Sequence, residues 1–174
     1  MPELPEAESI TRALDRALKH RSMLSSRLLS EDGLVIATGG GIVKTGPGML
    51  FLHGQADYAG STTVREGKLL LSGADSFPQE HPLIMAGGTM DFAANDIAVS
   101  DLSGFGVIKS DDGKTLTVTG KLSFSSADVL AGRKLLAAGL TPTFAAGTRI
   151  EIAGDLPKGD GKFKTVLFES SKPI

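Results

Sequence analysis

The chain has no cysteine and no tryptophan, and it has a single tyrosine among its 174 residues. The absence of cysteine excludes a disulfide framework and a zinc site with thiolate ligands. Aromatic residues make up only 5% of the sequence, while hydrophobic residues make up 41%. We therefore expect a core built from aliphatic side chains, in a chain long enough to bury one of useful size.

Strong charge of either sign and long apolar runs are also lacking. The formal net charge of −2 gives no reason to expect nucleic acid or an anionic membrane as a partner. No apolar run approaches the roughly twenty residues of a membrane helix, and the amino terminus lacks the apolar stretch of a signal peptide. We expect no membrane span, no cofactor, no metal site and no catalytic residue in this chain.

Residues 1–30 differ from the rest, and their spacing predicts an amphipathic helix. Pro5 suits a first helical turn, and Glu6 complements the positive end of a helix. Leu24, Leu28 and Leu29 either extend the helix or form an apolar link. The apolar positions recur at helical spacing: Ile10, Ala13, Leu14, Ala17 and Leu18.

From residue 31 to 174 the helical periodicity gives way to short apolar runs bounded by turn residues. Gly-Gly at 87–88 and the segments 110–114, 145–148 and 158–162 are the turn signals. The predicted strands are Leu34–Ala37, Met49–Leu52, Thr62–Val64, Lys68–Leu71, Leu83–Met85, Thr89–Phe92, Ile97–Val99, Gly106–Ile108, Leu116–Thr119, Lys121–Phe124, Lys134–Ala137, Arg149–Ala153 and Lys164–Glu169.

Strands this short cannot bury a core alone, but they can when stacked as successive rungs. We therefore predict a mainly β fold, a right-handed parallel β-helix or related β-solenoid over 31–174. The amino-terminal helix is a possible cap for its exposed end. The predicted core residues are Leu50, Leu52, Val64, Leu69, Leu71, Met90, Phe92, Leu116, Val118, Leu122, Phe124, Ile150 and Ile152.

The stretch 41–73 carries the most specific pattern, GIVKTGPGMLFLHGQADYAGSTTVREGKLLLSG. Its spacing, G-x-x-K-x-G-x-G-x-L-x-L-x-G-x-x-x-Y-x-G-x-T-x-V-x-x-G-x-L-x-L, resembles the autotransporter-associated β-strand repeat. That repeat occurs in the secreted passenger regions of bacterial autotransporters. Residues 81–174 resemble the region that follows such repeats, through the segments GGTMDF, LTVTGKLSF and GKFKTVLFES.

The resemblance implies a non-enzymatic structural or adhesive segment of an autotransporter passenger domain. Such a segment is secreted or lies at the cell surface, anchored to the outer membrane by a carboxy-terminal translocator barrel that this chain does not include. Its partners would be surface polysaccharide or a protein of a host or neighbouring cell. The absence of a signal peptide then implies that this chain is a fragment or that its natural start lies elsewhere.

The first 23 residues carry a second resemblance. MPELPEAE, followed by Ile10 and Arg12, is similar to the start of formamidopyrimidine-DNA glycosylase. The resemblance implies that Pro2 is the amine nucleophile on a damaged nucleotide, that Glu3 handles protons, and that Glu6 begins a helix. The chain has no cysteines for the zinc finger of that family and no excess of basic residues for binding DNA phosphates. We therefore expect no glycosylase activity.

The remaining polar residues have ordinary structural interpretations. Asp91 and Asp96 are candidates for the carboxylate pair of a polysaccharide-active β-helix, although sequence does not show their separation. The Asp-Asp-Gly turn at 111–113 resembles a weak calcium turn but lacks the calcium-binding repeat. The three histidines have no metal-ligand spacing, and we expect each to be solvated or hydrogen-bonded: His20, His53 and His81.

Overall fold

A computed structural model describes residues 25–28, 34–38, 40–53, 55–56, 58–156 and 164–171. Strands dominate this part of the chain, with a 3₁₀ turn at Ala74–Ser76 and a short helix, α1, at Ser126–Leu130. None of the helices described is long and apolar enough to cross a membrane. The strands are β1 Ser25–Leu28, β2 Leu34–Thr38, β3 Gly41–Thr45, β4 Met49–His53, β5 Thr62–Val64, β6 Lys68–Leu71, β7 His81–Asp91, β8 Ile97–Ser125, β9 Leu135–Phe144, β10 Arg149–Ala153 and β11 Phe168–Ser170.

One face of the molecule is a parallel stack to which β4, β6, β7, β8, β9 and β11 each contribute a segment. Because parallel strands in register place equivalent side chains above one another, this stack creates a ladder of core residues. The ladder comprises Leu50, Leu69, Met90, Ile108 and Ala137, and all five are buried.

A second face stacks β3, β5, β7 and β8 in parallel, with Ile42, Thr62, Leu83 and Leu102 in successive register. On a third face, residues 114–118 of β8 pair in parallel with residues 140–144 of β9. The chain thus returns to the first and second faces in successive turns of the solenoid, which we call circuits. The structure therefore confirms the predicted mainly β, parallel solenoid-type fold.

The described stack begins with two antiparallel pairs. Strand β2 pairs with β3 and β1 pairs with β4, both in antiparallel orientation, before the parallel circuits begin. The core residues of the first parallel circuit are fully enclosed, since Ile42, Leu50 and Leu52 are only 4%, 1% and 0% exposed. The core of the first parallel circuit is therefore shielded from solvent.

The last circuit is open, and here one core prediction is wrong. Ile150 lies in register with the buried Leu122, so it is on the core side of β10, yet it is 66% exposed. The reason is that β10 pairs only with β8 among the described strands, so no further rung covers it. Ile152 is half-buried against the core, and the other predicted core residues are buried.

Several predicted boundaries also differ from the structure. The predicted turns at 87–88 and 110–114 lie within the continuous strands β7 and β8, where Gly87 and Gly113 have φ values of +119° and +84°. The chain thus turns corners without losing strand pairing, and these strands exceed the short lengths predicted from the glycine spacing. The sequence prediction omitted β3 and α1 altogether.

The amino-terminal prediction is tested only at its end. Residues 25–28, which we expected to extend a helix or form an apolar link, are instead strand β1 paired with β4. The predicted helix, its capping role and the residues Pro2, Glu3, Glu6 and His20 lie outside the described residues. The division of the chain at residue 30 stays a prediction.

Candidate functional surface

A glycine corner joins β3 to β4 and is repeated one circuit later between β5 and β6. Gly46 and Gly67 have φ values of +78° and +66°, which non-glycine residues rarely adopt. A Cβ atom on Gly67 would lie 2.8 Å from the Lys44 Nζ atom and still closer to the carbonyl oxygens of Gly46 and Gly48. The glycines of the repeat pattern are therefore required where the backbones of successive circuits approach each other.

Lys44 occupies the centre of this corner and is completely buried. It lies in the core register beside Val64, so its side chain enters the solenoid rather than solvent. Its ammonium group donates to the carbonyl oxygens of Thr45 at 2.9 Å, Gly46 at 2.6 Å and Glu66 at 3.2 Å. These three bonds use all three N–H donors, which is the condition for burying a lysine at tolerable cost.

The electrostatics of this lysine follow from its position. Burial lowers the pKa of Lys44 from its ordinary value because desolvation disfavours the charged form, and the negative charge of Glu66 partly opposes that shift. The ammonium group binds backbone carbonyl oxygens of two circuits rather than water. We call Lys44 and these three carbonyl groups the lysine clamp, a structural element that joins the two circuits.

The tyrosine of the pattern is a second structural element of the same repeat. Tyr58 is buried, and its hydroxyl group lies 2.5 Å from the Thr62 Oγ1 atom. Burial raises the pKa of Tyr58, and the hydrogen bond to Thr62 partly counteracts this. Because Thr62 begins β5, the bond fixes the chain where it enters a new strand.

Asp91 forms a charged row with two lysines on the outside of the parallel stack. Its Oδ2 atom lies 2.7 Å from the Lys68 Nζ atom and 3.1 Å from the Lys109 Nζ atom. Its Oδ1 atom accepts a bond from the Ala93 N–H at 3.0 Å, at a corner where Ala93 has a φ of +48°. Burial alone would raise the pKa of Asp91, but the bonds from Lys68, Ala93 and Lys109 outweigh it and lower the pKa.

Asp96, the other carboxylate considered for catalysis, binds the next circuit. It accepts bonds from the Thr115 N–H at 2.7 Å and the Thr115 hydroxyl at 3.0 Å, and Lys114 lies 3.8 Å away. The backbone bond from Thr115, followed by its hydroxyl bond, lowers the pKa of Asp96. Both acids thus lie in contacts that hold neighbouring circuits together.

Among the residues that the structure describes, the histidine and calcium-turn candidates are not arranged as metal ligands. The His81 Nδ1–H group donates a hydrogen bond to the Gln79 carbonyl oxygen, 3.0 Å away, as expected of a hydrogen-bonded histidine. The backbone N–H of Asp111 donates to the Ala93 carbonyl oxygen at 2.9 Å. No three His, Asp or Glu side chains meet as a potential metal site within the residues the structure describes.

A network around α1 was not predicted from the sequence. The Ser125 hydroxyl accepts a bond from the Asp128 N–H at 3.1 Å, which caps the helix start. Arg133 donates to the Asp128 carboxylate at 2.9 Å and lies 4.7 Å from the centre of the Phe105 ring. The serine followed three residues later by an aspartate was the signal available in the sequence for this helix start.

Comparison with known proteins supports the repeat identification. A scan against protein families matched residues 42–74 to the passenger-associated-transport-repeat. Searches of curated proteins and of solved structures found no match to the chain, and no comparison supports the glycosylase resemblance of residues 1–23. The matched segment contains the glycine corner, the buried Lys44 and the Tyr58–Thr62 bond, and the predicted resemblance to the autotransporter-associated repeat is thereby confirmed.

Proposed function

We propose that this chain is a non-enzymatic structural segment of an autotransporter-type passenger, secreted or exposed at the cell surface. The observation that carries the proposal is continuity of the parallel stack. The passenger repeat at 42–74 supplies β4 and β6, and the register continues through β7, β8 and β9 to β11. The repeat is therefore the beginning of a longer scaffold rather than an isolated element.

The roles of the acidic residues support a non-enzymatic assignment. Catalytic acids and bases need access to substrate and a pKa suited to proton transfer. Asp91 is 6% exposed and ion-paired with two lysines, and Asp96 binds the backbone of the next circuit. Both carboxylates have lowered pKa values, which favours ionised structural contacts over a general acid.

An adhesive role is the finer part of the proposal. Its partner would be surface polysaccharide or a protein of a host or neighbouring cell, reached by the outward side chains of the parallel faces. On one such face, Thr117 and Thr143 lie in register with hydroxyl oxygens 2.8 Å apart. In-register hydroxyl groups of this kind would suit weak, repeated contacts with an extended partner.

Surface display tests the structural role. All 174 residues would be inserted between the secretion signal and the translocator of a reporter autotransporter, and protease resistance would be measured on intact cells. We expect a displayed, resistant passenger. Leu71→Gln should remove the resistance because Leu71 is 1% exposed, while Leu70→Gln on the outer side should retain it.

Retention inside the cell, or resistance that is equally low in all three proteins, would contradict the proposed role. Purified chain titrated onto immobilised surface polysaccharide and onto whole cells tests adhesion separately. Saturable binding supports an adhesive segment, and no binding in either assay leaves a purely structural one.

The non-enzymatic assignment has its own test at the amino terminus. Chain with the initiator Met removed would be incubated with oxidised DNA and borohydride, which traps a Schiff base on an amine nucleophile. We expect no trapped complex, with either Pro2 or a Pro2→Gly variant. Trapping that depends on Pro2 would make the glycosylase the leading function.

A further inference from the structure

The glycine corner that contains the lysine clamp is lined with backbone oxygen atoms. A Cβ atom on Gly67 would lie 2.8 Å from the Lys44 Nζ atom and still closer to the carbonyl oxygens of Gly46 and Gly48. The space beside Gly67 is therefore bounded by oxygen atoms and occupied by an ammonium group. Any side chain at this position would fill that space.

The equivalent corner of the next circuit has a different lining. Gly88 lies one circuit beyond Gly67, because the residues that follow the two glycines are in register. A Cβ atom on Gly88 would lie 2.7 Å from a methyl group of Val64 and 3.1 Å from the backbone nitrogen of Glu66. Val64 is in register with Lys44, so one column of the core places an ammonium group at the first corner and a methyl group at the second. The oxygen lining thus accompanies the lysine.

Three of the oxygen atoms at the first corner converge on the ammonium group. The carbonyl oxygens of Thr45, Gly46 and Glu66 lie 2.9, 2.6 and 3.2 Å from the Lys44 Nζ atom, and we call them the carbonyl cradle. Converging carbonyl oxygens bind a cation by replacing its water shell, and three of them match the three N–H donors of an ammonium group. The exposed carboxylate of Glu66 adds a negative charge that favours a cation here.

The cradle is made by backbone atoms of residues other than Lys44. Thr45 and Gly46 belong to one circuit and Glu66 to the next, so stacking of the two circuits positions the three oxygens. Truncation of the Lys44 side chain to alanine removes three methylene groups and the ammonium group, which together have the shape of n-propylammonium. A cavity left by truncation in a packed core can bind a small molecule of the missing shape.

We propose that this glycine corner is a binding site for a primary ammonium group, built by the backbone of two circuits, and that Lys44 is its tethered ligand. When the side chain is removed, a free primary alkylammonium ion of matching length binds in its place. The site selects for charge and N–H donors together. It therefore rejects a neutral alcohol of the same length and a quaternary ammonium ion, which has no N–H donor.

Chemical rescue of Lys44→Ala tests the proposal. The midpoint of denaturant unfolding would be measured in n-propylammonium chloride and in potassium chloride of the same ionic strength. We expect the variant to gain a saturable increase in n-propylammonium over potassium, as for a ligand that binds only the folded state. Wild-type protein, whose site is occupied, should show no such increase. n-Propanol and tetramethylammonium should not rescue the variant.

A second substitution tests where the ion binds. Lys44→Ala combined with Gly67→Ala places a methyl group in the space beside the cradle and should abolish the rescue. Rescue that persists in this double variant would overturn the proposal. Equal effects of n-propylammonium and potassium, rescue by n-propanol or tetramethylammonium, or an equal increase in the wild type would overturn it as well.

A covalent version keeps the test decisive if Lys44→Ala does not fold. Lys44→Cys introduces the only thiol of the chain, which has no cysteine of its own. In denaturant, the thiolate displaces bromide from 2-bromoethylamine and forms an S–C bond, which restores an ammonium group at lysine length. We expect this product to refold with a midpoint close to that of the wild type. The 2-bromoethanol product, which ends in a hydroxyl group, should be clearly less stable, and equal stability of the two products would overturn the proposal.

Discussion

The ammonium group of Lys44 and the carbonyl oxygen of Glu66 lie 3.2 Å apart although the two residues are 22 positions apart in the sequence. The bond joins one circuit of the solenoid to the next inside a glycine corner. The other two N–H donors bind the carbonyl oxygens of Thr45 and Gly46, within the same corner. One side chain thus binds backbone carbonyl oxygens of two successive circuits.

Replacing this lysine should therefore be costly. Lys44→Met keeps much of the side-chain length but removes the three hydrogen bonds that the buried ammonium group donates. We expect a loss of about 1–3 kcal/mol in the free energy of unfolding, measured by denaturant titration. Lys121→Met, at a 47% exposed lysine, should change it by less than about 0.5 kcal/mol. Equal effects of the two substitutions would contradict a stabilising role for the Lys44 hydrogen bonds.

Gly67 tests the close approach of the two circuits. Gly67→Ala combines a positive φ with a Cβ atom placed against backbone oxygens and the Lys44 ammonium group. Gly113→Ala is the control, because Gly113 has a φ of +84° but nothing within 4 Å of the added atom. We expect a loss of about 1–2 kcal/mol for Gly113→Ala and a clearly larger loss for Gly67→Ala, by thermal or denaturant unfolding.

The direction of side chains along β6 gives a third prediction. Leu71 faces the core and is 1% exposed, whereas Leu70 lies on the outer side and is half-buried. Leu71→Ala should reduce the free energy of unfolding by about 2–5 kcal/mol, because the cavity adds to the lost burial. Leu70→Ala should have a smaller effect. A larger effect at Leu70 than at Leu71 would show that the opposite face of β6 packs against the core.

Asp91 provides a prediction about acid stability. The pKa of Asp91 in the folded state is below its ordinary value of 3.8, so the unfolded chain takes up a proton first as the pH falls. The stabilisation is present above about pH 3.8 and is lost as the pH falls through the lower, folded-state pKa. Asp91→Asn should therefore destabilise the protein at pH 7 and flatten the loss of stability in acid, whereas Asp75→Asn, at a site that is only partly buried, should leave stability at pH 7 nearly unchanged.

The glycine pattern predicted the local structure well where each strand is bounded by turn residues. Strands Thr62–Val64, Lys68–Leu71 and Arg149–Ala153 have the predicted bounds, because period-two alternation and flanking glycines are local signals. The ladder through Leu50, Leu69 and Met90 followed from the same alternation. Which strands stack on one another was harder to predict, because the register between circuits depends on the length of each corner.

Two failures show that dependence. The segments 113–120 and 132–139 each run from one glycine to another with apolar residues between, but Leu116 lies in register with Pro142, and Leu135 with Gly106. The insertion of α1 lengthens one corner and places the two segments on different faces. The prediction that Ile150 is buried failed for another reason. Alternation predicts which side of a strand a residue faces, but not whether a further strand covers that side.

The partners of Lys44 and Asp91 were also beyond local prediction. Lys44 was visible as a fixed position of the repeat pattern, but its burial follows from its register beside Val64 in the next circuit. Asp91 was considered as a catalytic acid because its partners Lys68 and Lys109 are distant in sequence. Only the stacking of three circuits brings the three charges together.

Parallel stacking in this register is the central claim, and cysteine cross-linking tests it directly because the chain has no cysteine of its own. Thr115 lies in register with Thr141, and Thr117 with Thr143. Neighbouring in-register positions are about 5 Å apart, within the span of a disulfide. The pairs Thr115→Cys with Thr141→Cys and Thr117→Cys with Thr143→Cys should therefore form disulfides under mild oxidation, measured by mass spectrometry. The crossed pairs, 115 with 143 and 117 with 141, should remain reduced, and preferential cross-linking of the crossed pairs would show antiparallel pairing and contradict the solenoid.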